Sequence, residues 1–319
     1  MKNNIPPVLF LIFKRLETTK QVFQAIRKAQ PSQLFIAADG PKPEKSGEKE
    51  KTDAVRKYVL DNIDWDCDVK TRFQEKNLGC GLGVSSAISW FFNQVEEGII
   101  LEDDCLPHPD FFEYCKELLD KYRNNKDIAI ICGSNFNHGK KFGDASYFFT
   151  KYTYVWGWAT WKRTWENYQY DVNLLDKHLL FEKIDKALGS RMERFYWKSV
   201  FEKMSKFCID TWDYQFCFHI WYHDMYSIAP NVNLIQNIDS GKDATHPDPN
   251  TKSTFIKTEP ILPLEHPSKI RINKVAGNYY FNKYLNTSSF FEKIIREVYI
   301  RIPSPILLKY KIIKNKLKI

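Results

Sequence analysis

The chemistry in this sequence concentrates at Gly98-Ile-Ile-Leu-Glu-Asp-Asp-Cys-Leu-Pro107, where a short apolar run ends in three consecutive acids, Glu102, Asp103 and Asp104. Read as a buried strand, the run places those acids at its carboxyl end, where open α/β sheets bind ligands. Carboxylates there could hold a divalent cation. A leaving diphosphate needs its charge neutralised, and a metal ion does this as a Lewis acid. One or two carboxylates plus phosphate oxygens suit Mg²⁺ or Mn²⁺, which are hard cations. The competing reading is a surface turn, with Asp110 as the N-cap of a helix over Phe111–Tyr122.

Three further clusters stand out. Gly79-Cys-Gly-Leu-Gly83 is dense in glycine, but its spacing is not G-x-G-x-x-G, and it allows either a strand-to-helix loop or a flexible helix entry without a ligand. Four tryptophans fall between Trp156 and Trp165. They follow no helical face, so they suit either a sugar-binding wall or core packing. His219 and His223 are four apart on an expected helix. No third ligand and no H-E-x-x-H pattern accompanies them, which argues against zinc.

The elements that must position these residues follow from hydrophobic periodicity. Val8–Phe13, Leu34–Ala38, Cys67–Phe73 and Gly98–Leu101 read as strands, alternating with helices over Thr18–Ala29, Ala54–Asn62 and Val84–Glu96. Pro43–Thr52 is polar and reads as a mobile loop. Strands alternating with helices predict βαβ units and a mainly parallel sheet flanked by helices. After Ile128–Cys132 the chain turns aromatic and loop-rich, then helical over Leu174–Leu188 and Arg191–Lys206. The division expected is a nucleotide-binding half (1–135), an acceptor-binding half of the same catalytic unit (136–270), and a basic helical tail (271–319).

Composition limits the function classes. The chain has 319 residues, 43% hydrophobic and 27% charged, with a net charge of +8. Between Lys293 and Ile319, eight Lys or Arg face the single acid Glu297, so this tail carries +7 of the +8. The body is nearly neutral, which argues against nucleic acid as a partner. Seven scattered cysteines without a C-x-x-C pair point to a reducing compartment. The apolar run Val8–Phe13 is too short for a membrane span, so the expectation is a cytoplasmic protein.

Several motifs occur in a set order: Phe13-Lys-Arg15, Ala38-Asp39-Gly40, Asn77-Leu-Gly79, Leu101-Glu-Asp-Asp104, Trp156-Gly-Trp-Ala-Thr-Trp161, Thr211-Trp-Asp-Tyr214, and Asn237 through Ala244-Thr-His246. In this order the chain, over roughly residues 5 to 250, resembles the nucleotide-diphospho-sugar transferases of the GT-A fold. The likeness is to bacterial relatives of N-acetylglucosaminyltransferase I-type enzymes, some of which carry a hemolytic-protein-like label. The resemblance implies a GT-A (Rossmann-like) sheet and transfer of a sugar, with GlcNAc favoured, from a UDP-sugar donor to a glycan or lipid-linked acceptor. It assigns Asp39 to the uracil N–H, Arg15 to the phosphates and Asp103 to the ribose. Asn77, Gly79 and Glu102 fall beside the donor, and Asp104 with His246 at the metal. Asp213 becomes the base that deprotonates the acceptor, with inversion at the anomeric carbon. Trp156, Gly157 and Trp158 become a wall against donor sugar or acceptor.

Two other readings stay open. A sugar nucleotidyltransferase would share the sheet, but usually has a glycine-rich loop after the first strand, and Phe13-Lys-Arg-Leu-Glu17 has no glycine. A non-enzymatic membrane-active or carbohydrate-binding protein would explain the aromatics and the tail, but would leave the acidic turn idle. The basic, apolar tail suits an anionic membrane surface, which would make the enzyme peripheral on the inner face of the membrane and part of surface polysaccharide synthesis.

Overall fold

The computed structural model describes residues 5–238 and 256–285. In chain order the elements are β1 Val8–Ile12, α1 Leu16–Ala29, β2 Gln33–Ala38, α2 Glu48–Asp61, β3 Asp68–Phe73, α3 Gly79–Phe92, β4 Glu97–Glu102, β5 Cys105–Pro107 and α4 Phe111–Tyr122. There follow β6 Ile128–Cys132, β7 Tyr147–Thr150, β8 Trp158–Trp161, α5 Lys162–Trp165, α6 Lys177–Ala187, α7 Arg191–Met204, α8 Asp213–Tyr222, β9 Tyr226–Pro230, β10 Ile235–Asn237 and α9 Lys274–Tyr280.

Eight strands form one sheet in the order β3-β2-β1-β4-β8-β6-β9-β7. The first four are parallel, β8 runs antiparallel to both its neighbours, and β9 pairs parallel with β6 and antiparallel with β7. All five residues of β1 are buried apolar side chains, as strands covered on both faces must be. Leu9 and Leu11 pack on one face of the sheet with α3, α6, α7 and α8. Val8, Phe10 and Ile12 pack on the other with α1, α2 and α4. Full burial of each such side chain contributes about 1.5–3 kcal/mol. The chain runs outward from β1 to β3 and returns to β4 on the other side of β1, so the β1/β4 boundary is a topological switch point.

The fold differs from the sequence expectation in four places. The polar stretch over 43–52 is helical from Glu48 onward, because buried Glu48 accepts from Lys14 Nζ at 2.6 Å and from the Lys42 N–H at 2.7 Å. The glycine-rich segment is the first turn of α3 rather than a loop before it. Asp110 does not cap α4 with its side chain; its Oδ2 accepts instead from the N–H groups of Ile261 at 2.9 Å and Leu262 at 3.3 Å. The aromatic stretch after Cys132 supplies two sheet strands, β7 and β8. In β8, Trp158 sits opposite Ile100 and Cys132, is 0% exposed, and stacks on Trp212 at 5.6 Å.

Candidate active site

At the carboxyl ends of β1, β2 and β4 lies a pocket of about 370 Å³, lined by Phe13, Arg15, Asp39, Asn77, Gly79, Cys80, Glu102, Asp103 and Asp210, among others. Parallel strands end together, so the topology alone brings Arg15, Asp39 and Glu102 to one edge. The volume falls in the range of small-molecule sites.

The acidic turn forms its floor. Arg15 makes an ion pair with Asp103 and another with Asp104 at 3.0 Å. Asp103 Oδ2 also accepts from the Phe13 N–H at 3.3 Å. Asp104 is anchored through its main chain, its carbonyl accepting from the Ile238 N–H at 2.8 Å. One guanidinium thus faces three carboxylates. Among the described residues, no hydrogen bond or ion pair engages the Glu102 carboxylate. Burial and then the neighbouring charges of Asp104 and Asp103 raise its pKa. Burial also raises that of Asp103, against the opposing pull of Arg15. A surplus of crowded acids is electrostatically costly, and an added cation relieves it. These hard oxygen donors therefore fit Mg²⁺ or Mn²⁺, although no cluster of three metal-ligating side chains occurs among the described residues. Such ions need only one or two protein carboxylates when phosphate supplies the rest.

Asp39 closes one wall and is heavily engaged. Its carboxylate accepts from the N–H groups of Gly40 at 2.8 Å, Leu78 at 2.9 Å and Gly79 at 3.1 Å. Burial raises its pKa, and these three amides oppose the rise. Asn77 Nδ2 donates to the Gly40 carbonyl at 2.8 Å, so it fastens the loop. Gly79 adopts φ +82°, and a Cβ there would lie 2.5 Å from Asp210 Oδ2. The positive φ favours glycine there, and a Cβ would also push the Asp210 carboxylate aside.

The residue that the sequence reading missed is Asp210. Its carboxylate accepts from the Cys80 N–H at 3.0 Å and the Gly81 N–H at 2.8 Å. Leu78 stands at the N-cap of α3 and has no side-chain acceptor. Asp39 and Asp210 therefore satisfy the amides that a Ser or Asp N-cap would otherwise serve. A glycine-rich helix start without a capping side chain was the available signal that a remote carboxylate was needed. Burial, followed by the fields of Glu102, Asp210, Asp213 and Asp104, pushes the Cys80 thiol up to about 12. These four acids converge on one end of α3.

Asp213 begins α8 and is half-buried. Its Oδ1 accepts from the Thr211 hydroxyl and from the Tyr214 N–H at 2.9 Å. Its Oδ2 has no hydrogen-bond partner among the described residues. The expected aromatic wall divides. Trp156 is partly exposed and packs on Phe136 at 5.1 Å, beside a crevice too narrow to admit a water molecule. Trp158 is core, because β8 turns its ring inward onto Trp212 and Phe216, and it presents no face to a ligand. Gly157 is a packing position at φ +58°, where a Cβ would lie 2.4 Å from Ile235. His246 lies outside the described residues, as does the tail beyond residue 285.

No protein-family model and no curated protein matches the chain. Among solved structures, S. aureus TarS 1-349 aligns over 72% of this chain and 59% of that one, at 9% identity and a TM-score of 0.38. Mouse xyloside xylosyltransferase 1 aligns over 67% and 80%, at 12% identity and a TM-score of 0.32. HddC from Yersinia pseudotuberculosis aligns over 51% and 80%, at 9% identity and a TM-score of 0.31. Likeness of this order carries no argument of its own. What stands on the chain's own geometry is an open α/β sheet with an acid-floored pocket at its switch point.

Proposed function

We propose that the chain is a metal-dependent glycosyltransferase of GT-A type, moving a sugar from a UDP-sugar to a glycan or lipid-linked acceptor. The observation that carries this reading is the acidic turn at the switch-point pocket, where Glu102 and Asp103 line the cavity and Arg15 pairs with both Asp103 and Asp104. Carboxylates line this ligand-sized cavity together with the cations Lys14, Arg15, Lys42 and Arg72, which suits a metal ion and a phosphorylated ligand together. The divalent ion, held by Asp104 with His246, would supply neutralisation of the leaving diphosphate. Arg15 would turn from the acids toward the phosphates, Asp103 would take the ribose, and Asp39 would offer its remaining lone-pair capacity to the base. Asp213 has one carboxylate oxygen unengaged among the described residues and would accept the proton of the acceptor hydroxyl. That hydroxyl oxygen then bonds to the anomeric carbon as the bond to the diphosphate breaks, with inversion. Trp156 is the remaining candidate for an aromatic wall. GlcNAc as donor and surface polysaccharide as product rest on the sequence resemblance.

Among the described residues, no helix is long and apolar enough to cross a membrane. Contact with an anionic membrane through the basic tail belongs to the same proposal, and deleting residues 286–319 tests it by vesicle co-sedimentation. Calorimetric titration with UDP, with and without Mn²⁺, tests the donor site. Binding that needs the metal is expected. A carbohydrate-binding or lytic protein would bind no UDP under either condition, and a nucleotidyltransferase would release pyrophosphate rather than UDP.

A further inference from the structure

Asp210 has no part in the reaction proposed above, yet it joins the two parts of the site. Its carboxylate spans two successive amides of α3, those of Cys80 and Gly81, at 3.0 and 2.8 Å. The fit is close. A Cβ on Gly81 would lie 2.8 Å from Asp210 Oδ1, 2.8 Å from the Thr211 carbonyl and 2.5 Å from the Tyr170 hydroxyl. The residues that follow are tied down in turn. Gln215 Nε2 donates to the Thr211 carbonyl at 2.7 Å, and the Tyr168 hydroxyl donates to the Trp212 carbonyl at 3.0 Å. The Trp212 ring stacks on buried Trp158 at 5.6 Å. Thr211 then donates its hydroxyl to Asp213. A continuous set of contacts therefore runs from the first turn of α3, which forms a pocket wall, to the carboxylate of Asp213.

We infer that Asp210 is a positioning residue, a latch that fastens the Asp210–Asp213 segment to α3 and so fixes the position of Asp213 relative to the wall that α3 gives the pocket. The inference rests on the reading of Asp213 as the base. A remote carboxylate bonded to helix amides aligns with the positive end of the helix as well as satisfying its donors. Its removal frees the segment on the α3 side, while the aromatic contacts keep the other side folded. Asp213 is then displaced without being altered.

Two measurements on the full chain decide the matter. The first is hydrogen exchange on wild type, Asp210→Ala and Asp210→Asn. The latch requires faster exchange in Asp210→Ala over both 78–83 and 208–216, with Asp210→Asn intermediate, because its amide oxygen still accepts a bond. Unchanged exchange over 208–216 overturns it. The second is UDP-GlcNAc hydrolysis with Mn²⁺, adding Asp213→Asn and Gly81→Ala. Displacing a reacting group by about an ångström costs about a hundredfold in turnover. Asp210→Ala and Gly81→Ala should therefore lose kcat on that scale with KM nearly unchanged, and Asp210→Asn should recover part of it. A raised KM at unchanged kcat makes Asp210 a donor contact and contradicts the latch. If Asp213→Asn turns over as wild type does, the reading of Asp213 fails, and the exchange result still decides whether Asp210 fastens the segment.

Discussion

Along the carboxyl edge of the sheet, the stretch from β2 to β4 presents acids and main-chain amides, whereas the stretch from β8 through β6 to β9 presents indoles and asparagines. Those asparagines are largely committed to holding loops: Asn233 Oδ1 accepts from the Asn135 N–H at 2.9 Å, and Asn231 Nδ2 donates to the Ala145 carbonyl at 2.8 Å. In the first stretch the Glu102 carboxylate has no hydrogen bond or ion pair among the described residues, and Asp103 carries a raised pKa. Buried acids are thus crowded together where a ligand would enter, whereas the other stretch is built mainly of packed rings and loop-holding amides. Functional sites commonly give up stability in this way. The contrast predicts that substitutions in the aromatic stretch act on folding, and substitutions in the acidic stretch on binding.

The largest expected effect on stability is at Trp158. Truncating a fully buried indole leaves a cavity, and Trp158→Ala should cost about 3–5 kcal/mol in urea denaturation. Trp156→Ala, at a partly exposed position, should cost well under half of that. Equal losses at the two positions would break the distinction between core and wall.

Asp39 tests a mixed role. Asp39→Ala deprives the amides of Leu78 and Gly79 of their acceptor, and loss of such a cap costs about 0.5–2 kcal/mol. It should also weaken UDP binding in calorimetry. A stability loss with unchanged UDP affinity would confine Asp39 to capping α3.

The smallest effect is a pH dependence at Glu102. Its folded-state pKa lies above its unfolded value, so its contribution to stability is fully present below the unfolded pKa. That contribution is lost as pH rises through the folded one. Glu102→Gln should therefore be more stable than wild type at alkaline pH without metal. The gap should close as pH falls into the ordinary carboxylate range, and Mn²⁺ should narrow it by stabilising wild type. A gap that does not depend on pH would show that Glu102 is already compensated in the folded protein.

Much of the acidic stretch was legible in the sequence because its physics is local. Buried parallel strands read as apolar runs, as at Val8–Ile12, and turns follow them, so Arg15, Asp39 and Glu102–Asp104 announce themselves by position. The helix over Phe111–Tyr122 has the bounds its periodicity predicts. What stayed hidden depends on partners distant in sequence. The start of α3 looked like a loop because its cap comes from Asp39 and Asp210, 40 and 130 positions away. Asp110 looked like a cap, but its carboxylate serves residues 151 and 152 positions on. Trp156 and Trp158 looked alike, and only the pairing of β8 between β4 and β6 separates a ring at the edge from one in the core.

The most direct test of the central claim is a UDP-release assay over a panel of UDP-sugars, with Mn²⁺ or EDTA, on wild type and Asp104→Ala. The account predicts metal-dependent release from one donor, reduced by roughly a hundredfold or more in the variant, as removal of a cation ligand beside a leaving diphosphate requires. Release that is insensitive to EDTA and equal in Asp104→Ala, or no release and no UDP binding at all, would contradict it.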